Sequence, residues 1–261
     1  MEDTNQTVPE PSAPLSLIGR LTGVFATPGE VFDAVKAGPP ATANWLVPAL
    51  LFVAVSWVGA ALVFSQPAVN RQITELQTQA VEKQIAAKKI PPQQAEAMRQ
   101  AVEKFGSIGM KVSLVAAPLI AAFASPFWWG LLLWGLGKVV FKSPLGYMQA
   151  VEVTGLSNMI LPLAALVQTL LVVGMGNPFV SPTPTLFLKT IDPTSPAFTV
   201  LSALNVFTFW VLALKAIGLS RLTGVSVGKA AAWVFGIWAG FTSLMVGFGL
   251  AAQALSKALQ H

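Results

Sequence analysis

The chain has 261 residues, of which 54% are hydrophobic and only 10% charged, with a formal charge of +5 and a mean hydropathy of +0.66. Soluble domains carry roughly 25% charged residues, so this composition excludes an ordinary water-soluble domain. Cysteine is absent and the single histidine is the last residue, His261, which removes disulfides, thiol chemistry, iron–sulfur clusters, histidine-ligated metals and Ser-His-acid catalysis, and no cofactor is implied.

The 16 basic residues are scattered rather than gathered in a stripe with interleaved aromatics, so nucleic acid is not an expected partner. They read as topogenic and lipid-facing charge. Five windows hold no charge at all: Lys36 to Arg71, Lys111 to Lys138, Glu152 to Lys189, Asp192 to Lys215 and Lys229 to Lys257. Each is long enough to cross a hydrocarbon core of about 30 Å, which takes roughly 20 helical residues. The expected fold class is all-α: a polytopic transmembrane bundle of five spans, with an N-terminal amphipathic segment and an extramembrane helical hairpin between spans one and two.

Residues 1–14, with Glu2, Asp3, Pro9, Glu10 and Pro11, read as a disordered tail and not as a signal peptide, leaving the first span as an uncleaved insertion signal. Residues 15–261 then form one membrane domain. Leu17, Ile18, Leu21, Val24 and Phe25 recur at helical spacing, and the chain restarts with Thr27 as N-cap, Pro28 as first helical residue and Glu30 reaching back. This segment either lies in the interface plane or packs beneath the bundle.

Span one covers about 45–64, with Trp45 as a headgroup anchor. The stretch 66–110 alternates in charge and is split by Pro91–Pro92, predicting a helical hairpin whose second arm runs into span two. An arm of about 16 residues would project roughly 24 Å. Span two, 112–137, carries Pro118 and Pro126 as kink sites. Span three covers 153–173, span four 198–219 and span five 230–250, with a proline-rich loop over 174–196. Lysine and arginine counts (Arg20, Lys36, Lys138, Lys142, Lys215, Arg221 and Lys229 against Lys189 and Lys257) place the N-terminus in the cytoplasm, with the C-terminus and hairpin opposite.

Polar groups at membrane depth are the candidate functional positions: Glu152, Asn158, Gln168, Asn205 and Lys215. Glu152, at the head of span three, reads as a dipole cap or an ion pair with Lys138, Lys142 or Lys215, in preference to a proton or ion site. Asn158, Gln168, Asn205 and Thr208 read as interhelical hydrogen-bonding groups, and Lys215 as a snorkelling cation. Ala232, Gly236 and Gly240 form a small-residue face suited to close helix packing, within the bundle rather than between protomers.

The run Phe25-Ala-Thr-Pro28-Gly-Glu-Val-Phe32, followed by Trp45-Leu-Val-Pro48, resembles the first part of the Yip family (Ypt/Rab-GTPase-interacting membrane proteins). Ser143-Pro-Leu-Gly146-Tyr147 with Leu161-Pro162-Leu163, and Asn205-Val-Phe207-Thr-Phe-Trp210 with Ala216-Ile-Gly218-Leu-Ser220 and Thr223-Gly224-Val-Ser226, resemble its later helices. The resemblance covers about 25–250 around the hairpin. The Asp-Leu-Tyr-Gly-Pro sequence of eukaryotic members is absent, so the likeness is to the bacterial branch and implies no Rab binding. It implies an inner-membrane scaffold or membrane-organising component, not an enzyme, whose partners are lipids and other membrane proteins or a second copy. The alternative is a small-solute transporter or channel built on the polar residues of spans three and four.

Overall fold

Unpaired backbone groups in hydrocarbon cost several kcal/mol each, so an apolar chain must close its hydrogen bonds within helices. The structure is a computed structural model describing residues 15–88, 90–101, 107–188, 191–192 and 195–258, and among these the regular elements are all helical. In order they are α1 (Leu17–Ala26), α2 (Pro28–Ala37), α3 (Ala43–Phe64), α4 (Pro67–Lys88), α5 (Pro92–Ala101) and α6 (Ser107–Gly135). Then follow α7 (Tyr147–Ser157), α8 (Ile160–Met175), α9 (Pro196–Ser202), α10 (Val206–Thr223) and α11 (Val227–Ala258).

Five units are long and apolar enough to span: Ala43–Phe64, Val112–Val140, Tyr147–Met175, Pro196–Thr223 and Val227–Leu255. The second ends in a π-turn, Leu136–Val140, that runs three residues past the expected limit. The third differs more. It begins at Tyr147 rather than 153, and it breaks at Asn158–Met159 between α7 and α8. Pro162 explains the break: it has no N–H for the Asn158 carbonyl, which accepts instead from Leu161 N–H at 2.9 Å in a tighter turn. The fourth span is likewise two helices, α9 and α10, parted at 203–205.

The N-terminal segment packs beneath the bundle. Ser16 Oγ accepts from Gly19 N–H at 3.1 Å to start α1, and Pro28 opens α2 as expected, although Thr27 makes no side-chain cap bond. Val24, Val31, Phe32 and Val35 are buried in the main core with Leu133, Leu156, Leu212 and Leu219. Helix α2 lies on α10 and α7, and its end is tied to α10 by Lys36 Nζ donating to the Arg221 carbonyl (2.9 Å) and by an Arg221–Asp33 ion pair (3.1 Å).

Glycines set how closely the central helices approach. A Cβ on Gly155 would collide with the Trp45 backbone of α3, and one on Gly218 would collide with Val153 of α7. Around this centre α7 packs on α6, α3, α10, α2 and α1, while α11 packs mainly on α10 and α9. At the opposite end stands the hairpin, α4 with α5, where Arg99 Nε and Nη2 grip Glu82 at 2.7 and 3.0 Å. Its base is fixed by Gln72 Nε2 donating to the Gly176 carbonyl at 2.8 Å. The expected continuity of the second arm with span two falls at 102–106, outside the described residues.

Replacing Gly155 by leucine should overpack the α3–α7 contact and cost about 1–3 kcal/mol, read as a lower unfolding midpoint in detergent. Gly236→Leu, which meets no neighbour, should leave that midpoint unchanged. Arg99, by hydrogen bond first and charge second, holds the exposed Glu82 carboxyl below its ordinary value. A group lowered on folding stabilises above its unfolded value and loses that contribution as pH falls through the folded one. The clasp is therefore closed at neutral pH and loosens on acidification, which spin labels at Thr78 and Gln100 should report as a broadened distance distribution; in Glu82→Gln the width should not depend on pH.

Candidate functional site

Directly under α1 and α2, one level of the bundle gathers the polar side chains. Asn44, Glu152 and Lys215 are 0%, 1% and 2% exposed, and Thr154, Ser157 and Asn158 are buried beside them. Charged groups are expensive in such surroundings and call for specific partners.

Gly155 is what brings α3 close enough for its first turn to reach Glu152. A Cβ there would sit 2.9 Å from the Asn44 carbonyl. In the contact this allows, Asn44 Nδ2 donates to Glu152 Oε2 in a short hydrogen bond. Glu152 Oε1 and Asn44 Oδ1 are buried without a partner, and so is Arg20 Nε. The Ala41 backbone amide lies close to the carboxyl group, and the Arg20 guanidinium of α1 lies within electrostatic reach of it without an ion-pair contact. The single Thr154 hydroxyl proton is shared between the Pro126 carbonyl at 2.7 Å and the Val151 carbonyl at 2.8 Å, and Ser157 Oγ donates back to the Val153 carbonyl at 2.7 Å.

Lys215 does not snorkel. Its ammonium lies 4.4 Å from the centroid of the Trp129 ring, where the electron-rich face of the indole takes the place of water. Nor does Glu152 pair with Lys138, Lys142 or Lys215: the ion pairs among the described residues are Arg99–Glu82, Arg99–Glu96 and Arg221–Asp33. Because the helix starts at Tyr147, Glu152 lies beyond its first turn and cannot act as its dipole cap.

The remaining polar positions scatter. Asn158 Nδ2 reaches Ser125 Oγ of α6 at 3.4 Å, an interhelical contact of the expected kind. Gln168 Nε2 instead bonds the Val180 carbonyl in the following loop. Asn205 is the N-cap of α10, its Oδ1 accepting from Phe207 N–H at 2.9 Å, and bonds no other helix. Ala232, Gly236 and Gly240 do not pack inside the molecule: added Cβ atoms at Gly236 and Gly240 meet nothing within 4 Å. Together with Trp233 and Ile237, Ala232 and Gly236 line an open groove of about 440 Å³. Trp45 also turns inward, 4.9 Å from Phe127 and 6.4 Å from Phe123 by ring centroids.

This arrangement, five spans with a polar layer capped by a Thr-Pro helix pair, coincides with the match of a family model. The Yip1 domain model covers residues 22–249. The chain belongs to the Yip1 domain family. No curated protein and no solved structure matches it. The matched Yip1 domain holds Asn44, Trp45, Glu152 and Lys215, whereas Arg20 lies two residues ahead of it.

Asn44 and Arg20 are the site residues that sequence reading missed. The signals were there: Asn44 is the one polar side chain in the first turn of α3, and Arg20 is the single charge in α1. A double-mutant cycle over Lys215→Met and Trp129→Leu should return a coupling of about 0.5–2 kcal/mol, measured by unfolding in detergent.

Proposed function

We propose that this Yip1-domain protein is a non-enzymatic membrane-organising scaffold that works through protein and lipid contacts. The observation that carries the reading is the exposed small-residue face of α11, the least buried of the five spans, with only 6% of its spanning window buried. In lipid, helices associate through close van der Waals approach, and a Gly-rich stripe is the surface that permits it. The hairpin α4–α5 adds a second surface at the other end of the molecule from α1 and α2. Its arms carry charges of both signs and are clasped by Arg99 and Glu82.

The small-solute transporter draws less support. Gln168 and Asn205 are engaged with backbone in a loop and a helix cap, away from the layer around Glu152, so the polar residues of spans three and four do not line a shared path. Charge distribution favours a cell-membrane orientation with the N-terminus, α1 and α2 on the cytoplasmic side and the hairpin and C-terminus opposite.

The native chain has no cysteine, which makes single-cysteine crosslinking clean. In native membranes, a photoreactive probe at Gly240 and another at Gln94 on the hairpin should each capture a defined protein partner, which includes a second copy of the chain. Ala232→Leu combined with Gly236→Leu should abolish capture by the Gly240 probe without lowering abundance. Lipid adducts alone from both probes would overturn the scaffold reading.

A further inference from the structure

The α3–α7 contact leaves one deficit, and its chemistry is specific. A side-chain amide and a carboxyl group can pair as a planar ring, in which the amide N–H meets one carboxyl oxygen and the amide carbonyl meets the other. Half of that ring is present, since Asn44 Nδ2 donates to Glu152 Oε2. The other half has acceptors and no hydrogen: Glu152 Oε1 and Asn44 Oδ1 are both buried and both without a hydrogen-bond partner. One proton satisfies the two oxygens together and removes a buried charge. A hard metal cation would gather about six oxygens or more, well beyond these two.

We propose that Glu152 and Asn44 form a proton-binding site, a carboxyl–amide pair that takes one proton between Glu152 Oε1 and Asn44 Oδ1 and releases it on the side of the bundle covered by α1. Binding adds H⁺ to Oε1 and gives a neutral pair. Release returns H⁺ to water and leaves a carboxylate, whose charge needs a new partner. Arg20 is the candidate: it is the charge within electrostatic reach of the carboxyl group, it makes no ion pair with it in this structure, and its buried Nε–H has no acceptor.

Among the described residues, no other helix packed on this level turns a competing charge toward the pair. Helix α3 has no ionisable residue, and the one in α6, Lys111, lies about four turns along that helix from the Pro126 level that meets Thr154. Those of α2 are Glu30, Asp33 and Lys36, all exposed, with Asp33 and Lys36 held by Arg221 of α10. The other cation of α10, Lys215, is turned onto Trp129. Proton release therefore draws α1 onto the bundle, and proton binding lets it loosen. The site links proton occupancy to the docking of a helix on the membrane surface, and it does not depend on the scaffold reading.

The test is infrared spectroscopy of the full chain in lipid nanodiscs, titrated from acid to alkaline pH at constant salt. Expected is a protonated-carboxyl C=O band that moves in D₂O, disappears as pH rises and is missing in Glu152→Gln. In Asn44→Ala the same band should shift upward, because the carbonyl loses its N–H donor. Amide exchange over residues 17–26, corrected for intrinsic pH effects, should slow several-fold across the same transition and show no such change in Glu152→Gln. Absence of a Glu152-dependent band at every pH would overturn the proposal. So would a band that sodium removes at fixed pH, the mark of a metal-cation site. If Glu152→Gln does not fold, the Asn44→Ala spectrum decides alone, and an unshifted band there sinks the idea.

Discussion

Helix α7 has no side left for lipid, and the rest of the molecule follows from that. Every residue from Ala150 to Ser157 is buried. Lipid tails are as apolar as leucine, so membrane helices gain little from mutual hydrophobicity and depend on how closely their backbones approach. Three glycine contacts supply that approach here: Gly155 toward α3, Gly130 of α6 toward Val151, and Gly218 of α10 toward Val153. The distance these glycines set brings Asn44 within reach of Glu152, and Thr154 within reach of the Pro126 carbonyl.

Packing is uneven along the membrane normal. The large core, from Val24 to Val234, surrounds the half of the bundle that α1 and α2 close off. Toward the hairpin the buried clusters shrink to Ala49, Val53 and Ala122, and to Val69, Val172 and Val180. Free energies of local opening follow such packing: the Asn158–Met159 break is enclosed by the large core, whereas 203–205, with no buried residue, lies where the structure yields sooner. The well-packed half holds the buried Glu152 and Lys215.

Five spans were legible because charge-free windows of the right length admit little else, and Thr27-Pro28 and Pro91–Pro92 marked helix boundaries through backbone chemistry alone. The break after Ser157 was not, although Pro162 was visible; a proline in a hydrophobic run signals a kink without revealing which carbonyl finds a substitute donor. The site was half legible. Glu152 stands out in any hydropathy plot, yet its partner is 108 residues away, and the ion pairs expected from nearby lysines lost to an amide delivered by a glycine contact. Lys215 was misread for a related reason. Snorkelling is the default for a lysine near a span end, and only the tertiary position of Trp129 overrides it.

The Asn44–Glu152 bond also orders the events of synthesis. At about 5–20 residues per second, the 108 residues that separate its partners take roughly 5–20 s to make. Through that interval Asn44 of the first span is without its carboxyl partner, while α6 is completed before Glu152 is made. When α7 emerges, its acidic side chain must enter hydrocarbon beside a partner that is already waiting. The pairing thus joins the third span to the first across the order of synthesis.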